Sequence, residues 1–587
     1  MTGTDSSSVV VNQRVFKWWD YPAFVFLSLL SLWAIFSFLL HWFSYEDWLV
    51  HPVSFSLMTV LLVVILANNQ SRWFLLPYMK KPQPVRARPG WKVAVVTTFV
   101  PGAESLEMLE GTVKALVSMD YPHDTWILDE GNDEKVVALS LKIGAKHFSR
   151  KNFSQYQTSA GVYQVRSKHG NYNAWLSQIG FEDYDIVTIF DPDHVPDRTF
   201  LSRVLGYFED PEVAYVQVAQ AYYNQQASFV ARGSAEETYA YYSSVQMASY
   251  GVGYPVIVGG HNTHRLSALK ESGLPARDPE DLMLTLSYQA SGWRGVYVPE
   301  ILARGLAPVD WSGYLNQQRR WARNLLDLKF RVQPRLFNTL TWKSWTMGVL
   351  HGLGYLHRTA IIFLVVILTG FMLATGSTPN VISYLTIEKL AGLVLVLQVC
   401  ELYRQSFYLD ATNEWGLHWR AGLLQYAKWP WFLLALFEVL CGKEKPYVVT
   451  NKVKAESTNR LLLQSNLFTI VFLCITWGIG KSFETDVHPI VYLVAAMLVG
   501  ASMILIWTEM WDFPAPYSGR ATFDESSASA ARVNEYLSSP LSENQNGVRD
   551  LVQKHAVGGS LKENGRATSD LSRRVPMRNQ KRDDKEP

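Results

Sequence analysis

The sequence has few cysteines, no excess of charge of one sign and neither of two common nucleotide-loop motifs. Its 587 residues include 3 cysteines, and none of them stands in CxxC spacing, so neither a disulfide framework nor a zinc site is indicated. A formal net charge of +2, from 54 basic and 52 acidic residues, gives no reason to expect a nucleic-acid partner. No GxGxxG follows the first predicted strand and no GxxxxGK[ST] occurs, which argues against dehydrogenases and P-loop enzymes.

Long apolar runs are present, and they cluster towards the two ends of the chain. Residues 22–43 and 53–76 are long enough to cross a hydrocarbon core of about 30 Å as helices, and they predict a transmembrane hairpin over 21–76. The link SYEDWLVH carries no Lys or Arg, whereas both flanks are basic. The positive-inside rule therefore predicts that the tail 1–20 and the region after the hairpin are cytosolic.

A second apolar region, 340–510, predicts four further spans at 355–375, 387–406, 461–480 and 487–507. Segment 417–441 is also apolar, but it is interrupted by Gln425, Lys428, Pro430 and Glu438, which favours an interfacial helix. About six spans result. The tail 512–587 is rich in Ser, Arg, Asn and Asp, and we expect it to be disordered.

The middle of the chain, 90–335, has the pattern of an α/β domain. Short β-branched runs such as WKVAVVTTFV, WILDEG and DIVTIFDPD alternate with apolar residues at helical spacing. Several of these runs end in acids. In a doubly wound sheet, ligands bind at the carboxyl ends of the strands, so we expect these acids to carry the chemistry.

Asp191 and Asp193 follow one such strand and are separated by a proline. Two carboxylates so spaced can hold Mg²⁺ or Mn²⁺, which would stabilise the charge on a leaving nucleotide diphosphate. A solvated acidic loop is the alternative.

Four more segments complete the pattern: Asp129 in WILDEG, SKHGNYN at 167–173, DPEDLMLT at 278–285 and QQRRW at 317–321. In this order, they resemble the motifs of the processive family 2 glycosyltransferases, most closely the bacterial cellulose and curdlan synthases, over about residues 91–452. The resemblance implies a GT-A-type α/β domain inserted between transmembrane helices of a polytopic membrane protein.

The resemblance also implies roles for these residues. Asp129 would lie beside the uracil of a UDP-sugar, and Glu130 stands where a second Asp is common, which leaves its role open. The remaining nucleotide-sugar-binding positions are Lys168, Asn171, Asn173, Gln317 and Arg320.

Asp281 matches the general base of the TED motif, with Pro279 in place of its Thr. The assignment also has a chemical basis, since inverting transfer needs a base on the acceptor side and a cation on the leaving-group side. Glu280 and Trp321 would contact the acceptor glycan, and a flat indole suits a sugar ring. For Glu280 and Asp281, the alternative is that these acids only stabilise the start of a helix. For QQRRW, the alternative is a basic amphipathic helix at the membrane surface.

Two further segments have weaker signals. KPYVVTNK resembles a gating loop over 443–454, with Tyr447, Val449, Thr450 and Lys452 at its matching positions. A plain cytosolic loop is the alternative. His261, in VGGHNTHR, lies where related synthases approach the acceptor, although a hydrogen-bonded turn histidine is the commoner outcome.

Together these features predict a processive, inverting UDP-sugar-dependent hexosyltransferase of the plasma (inner) membrane with a cytosolic catalytic domain. Its expected donor is UDP-glucose, and its product is a β-1,3- or β-1,4-glucan that crosses the lipid bilayer through the same chain. Accessory export proteins are compatible with this function, although no residue points to them. The alternatives are a synthase of chitin, hyaluronan or poly-N-acetylglucosamine, a non-processive lipid glycosyltransferase, and a transporter or receptor with a degenerate domain.

Overall fold

A computed structural model of the chain describes residues 10–442 and 464–511. The predicted gating loop, with Tyr447, Val449, Thr450 and Lys452, and the predicted tail 512–587 lie outside the described residues. Those two predictions therefore stay untested.

The N-terminal part is a helical hairpin with a small two-stranded sheet at its base. Its elements are β1 (Asn12–Arg14), α1 (Tyr21–Trp42), α2 (Asp47–Val50), α3 (Pro52–Phe74) and β2 (Lys80–Pro82). Strands β1 and β2 pair antiparallel, so residues 12–14 before α1 are joined to residues 80–82 after α3. Within the hairpin, the Trp73 indole N–H donates to Ser28 Oγ at 2.8 Å and that of Trp42 to Thr59 Oγ1 at 2.9 Å. Both indole N–H groups thus have a partner within this apolar pair of helices.

The middle of the chain folds around one eight-stranded sheet. Its strands are β3 (Val93–Phe99), β4 (Asp124–Asp129), β5 (Lys146–Phe148), β6 (Ile186–Phe190), β7 (Val195–Pro196), β8 (Val213–Tyr222), β9 (Asn262–Arg265) and β10 (Arg294–Gly305). Its helices are α4 (Leu106–Val117), α5 (Glu134–Ile143), α6 (Lys168–Trp175), α7 (Phe181–Asp183), α8 (Phe200–Val204), α9 (Phe229–Ala240), α10 (Gln246–Gly251), α11 (Leu266–Ser272), α12 (Glu280–Ala290) and α13 (Trp311–Asp327). The predicted α/β class is confirmed.

The strand order is β5-β4-β3-β6-β9-β8-β10-β7. Strands β4 and β6 run parallel to β3 on either side of it, so their carboxyl ends share one edge of the sheet. The sheet is nevertheless mixed, because β9 runs antiparallel to β6 and β8, and β7 antiparallel to β10. The expectation of a doubly wound sheet therefore describes only part of it, since strands of two to four residues carry too short a pattern to reveal their direction.

The C-terminal part is helical, with α14 (Trp342–Leu350), α15 (Gly354–Thr375), α16 (Tyr384–Gln405), α17 (Trp419–Leu440), α18 (Gln464–Ser482) and α19 (Pro489–Trp511). Among the described residues, four helical segments are long and apolar enough to cross a membrane: Trp18–Trp42, Pro52–Tyr78, Trp342–Thr375 and Pro489–Met510. Helices α16 and α18 cover the other two predicted spans but do not meet that measure of length and composition. The count of six spans stays a prediction.

Helix α17 connects the helical region to the α/β domain. The carboxylate of Glu237, in α9, accepts hydrogen bonds from Lys428 Nζ at 2.7 Å and from Gln425 Nε2 at 2.6 Å. The Tyr314 hydroxyl of α13 donates to the same carboxylate at 2.8 Å. The polar residues that interrupt this apolar segment therefore face the α/β domain. This contact is compatible with the predicted interfacial position.

Candidate active site

A cluster of possible metal ligands follows β6 directly. One ligand atom each from Asp191, Asp193 and His194 lies within 4.8 Å of the others. The turn between them is held by Thr112, whose hydroxyl donates to the Pro192 carbonyl at 2.8 Å. Two carboxylates with an imidazole suit Mn²⁺ and also accommodate Mg²⁺, so the donor set fits a divalent cation. Sequence reasoning missed His194, although its position immediately after the two acids is a usable signal.

Lys168 joins this cluster to the start of α12. Its ammonium nitrogen lies 2.7 Å from Asp191 Oδ1 and 3.0 Å from Glu280 Oε1. It is the first residue of α6, which begins because the Ser167 hydroxyl accepts from the Gly170 N–H at 3.0 Å. Three predicted site residues, far apart in the chain, thus meet at one point.

Gly170 is required in this turn by close packing. A Cβ atom there would lie 2.2 Å from the Gln164 carbonyl oxygen, nearer than side-chain atoms approach backbone. A residue without a side chain is therefore needed here because the preceding loop lies in close contact.

Asn171 and Asn173 are buried behind the site. The Asn171 amide donates to the Leu128 carbonyl at 3.0 Å, next to the end of β4. The Asn173 amide donates to the carbonyls of Val162 and Pro275, both at 2.8 Å. These bonds connect α6 to two loops and the end of β4, so both side chains position the backbone around Lys168. Their predicted contact with a nucleotide sugar stays a prediction.

Asp129 ends β4 and is fully buried. Its carboxylate accepts from the backbone N–H groups of Gly131 at 2.8 Å and Asp133 at 2.6 Å, and it lies 3.2 Å from His147 Nε2. The loop after β4 is therefore folded around this side chain. The predicted place of Asp129 beside the uracil of a nucleotide sugar stays a prediction.

Glu130 is part of a buried ion pair. The fully buried Arg150 guanidinium donates two hydrogen bonds to the Glu130 carboxylate, at 2.7 and 2.9 Å, and further bonds to loop carbonyls that include Tyr163 and Gln164. The role that the motif left open is thus structural, because the pair ties the loop after β4 to the loop before α6.

Asp281 lies in the first turn of α12. Its Oδ2 atom accepts from the Gly259 N–H at 2.7 Å and its Oδ1 from the Leu282 N–H at 2.7 Å. Burial and the neighbouring Glu280 carboxylate raise the pKa of Asp281 to about 7, against the two N–H groups and Lys168, which lower it. A carboxylate with such a pKa is matched to proton transfer near neutral pH.

The loop 259–261 separates this acid from the metal-ligand cluster. Gly259 has φ +68°, and a Cβ atom at Gly260 would lie 2.9 Å from the Asp191 backbone nitrogen. His261 has φ 45°, and its buried ring lies 4.5 Å from that of His194. Burial and His194 keep the pKa of His261 well below its usual value, so the ring is neutral. Neither ring nitrogen has a hydrogen-bond partner among the described residues, so the expected hydrogen-bonded turn histidine is not what is observed.

Helix α13 carries the QQRRW residues beside α17. Gln318 Oε1 accepts from Lys428 Nζ at 3.2 Å, and the Arg319 guanidinium pairs with Glu438. Gln317 is buried and Arg320 partly exposed, while Trp321 is 39% exposed. One face of α13 therefore packs against α17, and Trp321 is partly exposed. The predicted contact of Trp321 with a glycan stays a prediction.

Comparisons with known proteins show which proteins the chain resembles. The family model "Glycosyl transferase family group 2" matches residues 186–397, which include Asp191, Asp281 and Trp321. Cellulose synthase 2 of Novacetimonas hansenii is 27% identical over 296 residues, which cover 48% of this chain and 17% of that protein. The UDP-forming cellulose synthase catalytic subunit of Pseudomonas fluorescens is 27% identical over 337 residues, covering 54% of this chain and 43% of the subunit. The chain thus spans less than half the length of these relatives.

Among solved structures, a mannosyltransferase of Pyrobaculum calidifontis, in complex with GDP-Man and Mn²⁺, is 16% identical with a TM-score of 0.44. It covers 67% of this chain and 99% of its own. The likeness rests instead on the family model matched over residues 186–397 and on the α/β domain whose strand ends bring the acids together. Over this part, the chain is similar to family 2 glycosyltransferases and to cellulose synthases.

Proposed function

We propose that the chain is a processive, inverting β-glucan synthase that uses UDP-glucose and a divalent cation and passes its product across the membrane in which it lies. One observation supports this most: the Lys168 ammonium contacts both Asp191 and Glu280. One ammonium thus contacts an acid proposed to serve the leaving group and an acid proposed to contact the acceptor. Inverting transfer needs groups for both partners in one site.

In the proposed reaction, Asp191, Asp193 and His194 would hold Mg²⁺ or Mn²⁺, which would supply positive charge to stabilise the departing diphosphate. Lys168 adds a second positive charge beside it. Asp281 accepts the proton of the acceptor hydroxyl, and the Gly259 N–H keeps one of its oxygens oriented.

The membrane part of the proposal is supported by position. Trp321, exposed on α13, offers a flat surface to the growing glucan beside α17 and the apolar helices that follow. The basic flanks of the hairpin favour a cytosolic α/β domain in the plasma (inner) membrane. A closing segment at 443–454 would exclude water from the activated donor.

The test is synthesis by the purified chain in lipid vesicles. With UDP-glucose and Mn²⁺ or Mg²⁺, we expect release of UDP and a long product that a glucanase degrades; enzymes specific for β-1,3 and β-1,4 bonds then identify the linkage. UDP-N-acetylglucosamine serves as the matched donor control. A short, lipid-soluble product would contradict processive synthesis, and turnover of the control donor alone would reassign the enzyme to another β-glycan.

A further inference from the structure

A polar cavity of about 70 Å³ lies between α3 and α16, near the C-terminal end of each helix. Its polar lining consists of Asn68, Asn69, Arg72, Glu401 and Arg404. It lies on the side of the α/β domain, because α3 leads directly into β2 and that domain. It is distinct from the candidate active site and shares no residue with it.

The charge around this α3–α16 cavity is unbalanced. Arg72 and Arg404 line it, and Arg358 of α15 is within electrostatic range of Arg72. Glu401 is the one carboxylate of the lining, and both of its oxygens are engaged: Arg404 Nη2 lies 2.5 Å from Oε2 and the Tyr408 hydroxyl 3.0 Å from Oε1. The two guanidinium groups of the lining, with a third near Arg72, thus outnumber its one carboxylate.

The guanidinium groups also have unused donors. Among the described residues, Arg72 and Arg358 form no ion pair and no hydrogen bond. The Arg404 side chain is only 9% exposed, and its Nε–H is buried without a partner. A buried charged donor without an acceptor is costly, which indicates that an acceptor from outside the described chain completes the site.

The chemistry of the lining selects the acceptor. Planar guanidinium groups bind phosphate in a two-pronged geometry, and the Asn68 and Asn69 amides add neutral donors. The volume is well above the 10–15 Å³ or so that a single water needs. The cavity lies towards the polar end of the membrane-length segment Pro52–Tyr78, where lipid headgroups are found. We propose that the α3–α16 cavity binds the phosphate of an anionic lipid headgroup.

The test uses the full chain purified in detergent with equal amounts of dioleoyl-phosphatidylglycerol and dioleoyl-phosphatidylcholine, and native mass spectrometry to count retained lipids. We expect one phosphatidylglycerol to be retained in preference to phosphatidylcholine. Arg72→Gln should weaken that retention by about tenfold, the value of one charge-assisted hydrogen bond. The control Arg86→Gln, whose side chain is exposed outside the cavity, should leave it unchanged.

A second variant separates lost binding from misfolding. Glu401→Gln removes the competing negative charge and keeps the side-chain shape, so we expect it to retain the anionic lipid more strongly, which a misfolded protein cannot do. Equal retention of both lipids, or no effect of Arg72→Gln, would overturn the proposal. If equimolar inorganic phosphate displaced the lipid, the cavity would be a site for free phosphate, and the proposal of a lipid headgroup would be wrong.

Discussion

Asp281→Asn tests the proposed base most directly, because it removes the proton acceptor and keeps the side-chain size. We expect UDP release to fall by about 10²- to 10⁴-fold, the usual contribution of a positioned general base. Since the pKa of Asp281 is about 7, the wild-type rate should rise with pH and level off above about pH 7. Any residual activity of the variant should lack this rise.

The same substitution should lower activity but stabilise the folded chain at neutral pH, relative to the wild-type chain. Folding raises the pKa of Asp281 from 3.8 to about 7. Between about pH 4 and pH 7, Asp281 is therefore protonated in the folded chain and ionised in the unfolded chain. Stability therefore falls as pH rises from about 4 to 7, by at most about 4 kcal/mol. The asparagine variant has no carboxyl group to titrate and should not lose this stability. For the wild-type chain, about 2 kcal/mol of the loss occurs between pH 5.5 and 7. The side chain is partly open to the cleft, so solvent screening makes these values upper limits.

Two measurements on the purified chain check both effects. One is UDP release against pH, and the other is the thermal unfolding midpoint at about pH 5.5 and pH 8. Asp183→Asn, which removes an exposed carboxylate of α7, is the matched control and should change neither. The assignment of Asp281 as the base would be refuted if Asp281→Asn kept more than a tenth of the wild-type activity. It would also be refuted if the variant's unfolding midpoint, relative to that of the wild-type chain, were no higher at pH 8 than at pH 5.5.

Further substitutions test the surroundings of the site. Asp193→Asn should abolish Mn²⁺ binding, measured by electron paramagnetic resonance, together with UDP release; unchanged Mn²⁺ affinity would exclude this ligand. Lys168→Met should lower kcat, while Lys168→Arg should restore part of it, since the ammonium contacts both Asp191 and Glu280; equal kinetics for the two variants would contradict a role for the charge. Arg150→Met should lower the free energy of unfolding by about 3 kcal/mol because it leaves Glu130 without its buried partner, and adding Glu130→Gln should recover part of the loss in chemical denaturation.

Local patterns predicted the parts of the molecule that depend on local physics. The strand ending at Asp129 and the acids that follow β6 were predicted because β-branched runs alternate with helical periods. The helix start at Glu280–Asp281 is likewise predicted by acids in a first turn, and α12 begins at Glu280. Helical spans were predicted from the length of apolar runs, a property of composition alone.

The pairing of strands and the direction of side chains depend on tertiary contacts, which local sequence patterns do not show. The sequence did not show that β1 pairs with β2, because strands of three residues have no measurable period. It also did not show that the amides of Asn171 and Asn173 face backbone carbonyls, since a motif gives the residue type and not the atom that it contacts. The same limit applies to Glu130, whose partner Arg150 is 20 residues away.

By itself, the sequence determined the α/β class of the middle, the apolar helices and the identity of the acids, because each depends on neighbours within about two helical turns or one strand. Only the tertiary structure decided that Lys168 joins Asp191 to Glu280, that His194 completes the possible ligand set, and that arginines of α3 and α16 share a cavity. These contacts join segments far apart in the chain. Their geometry depends on how the sheet orders its strands and how the helices pack, which no local period encodes.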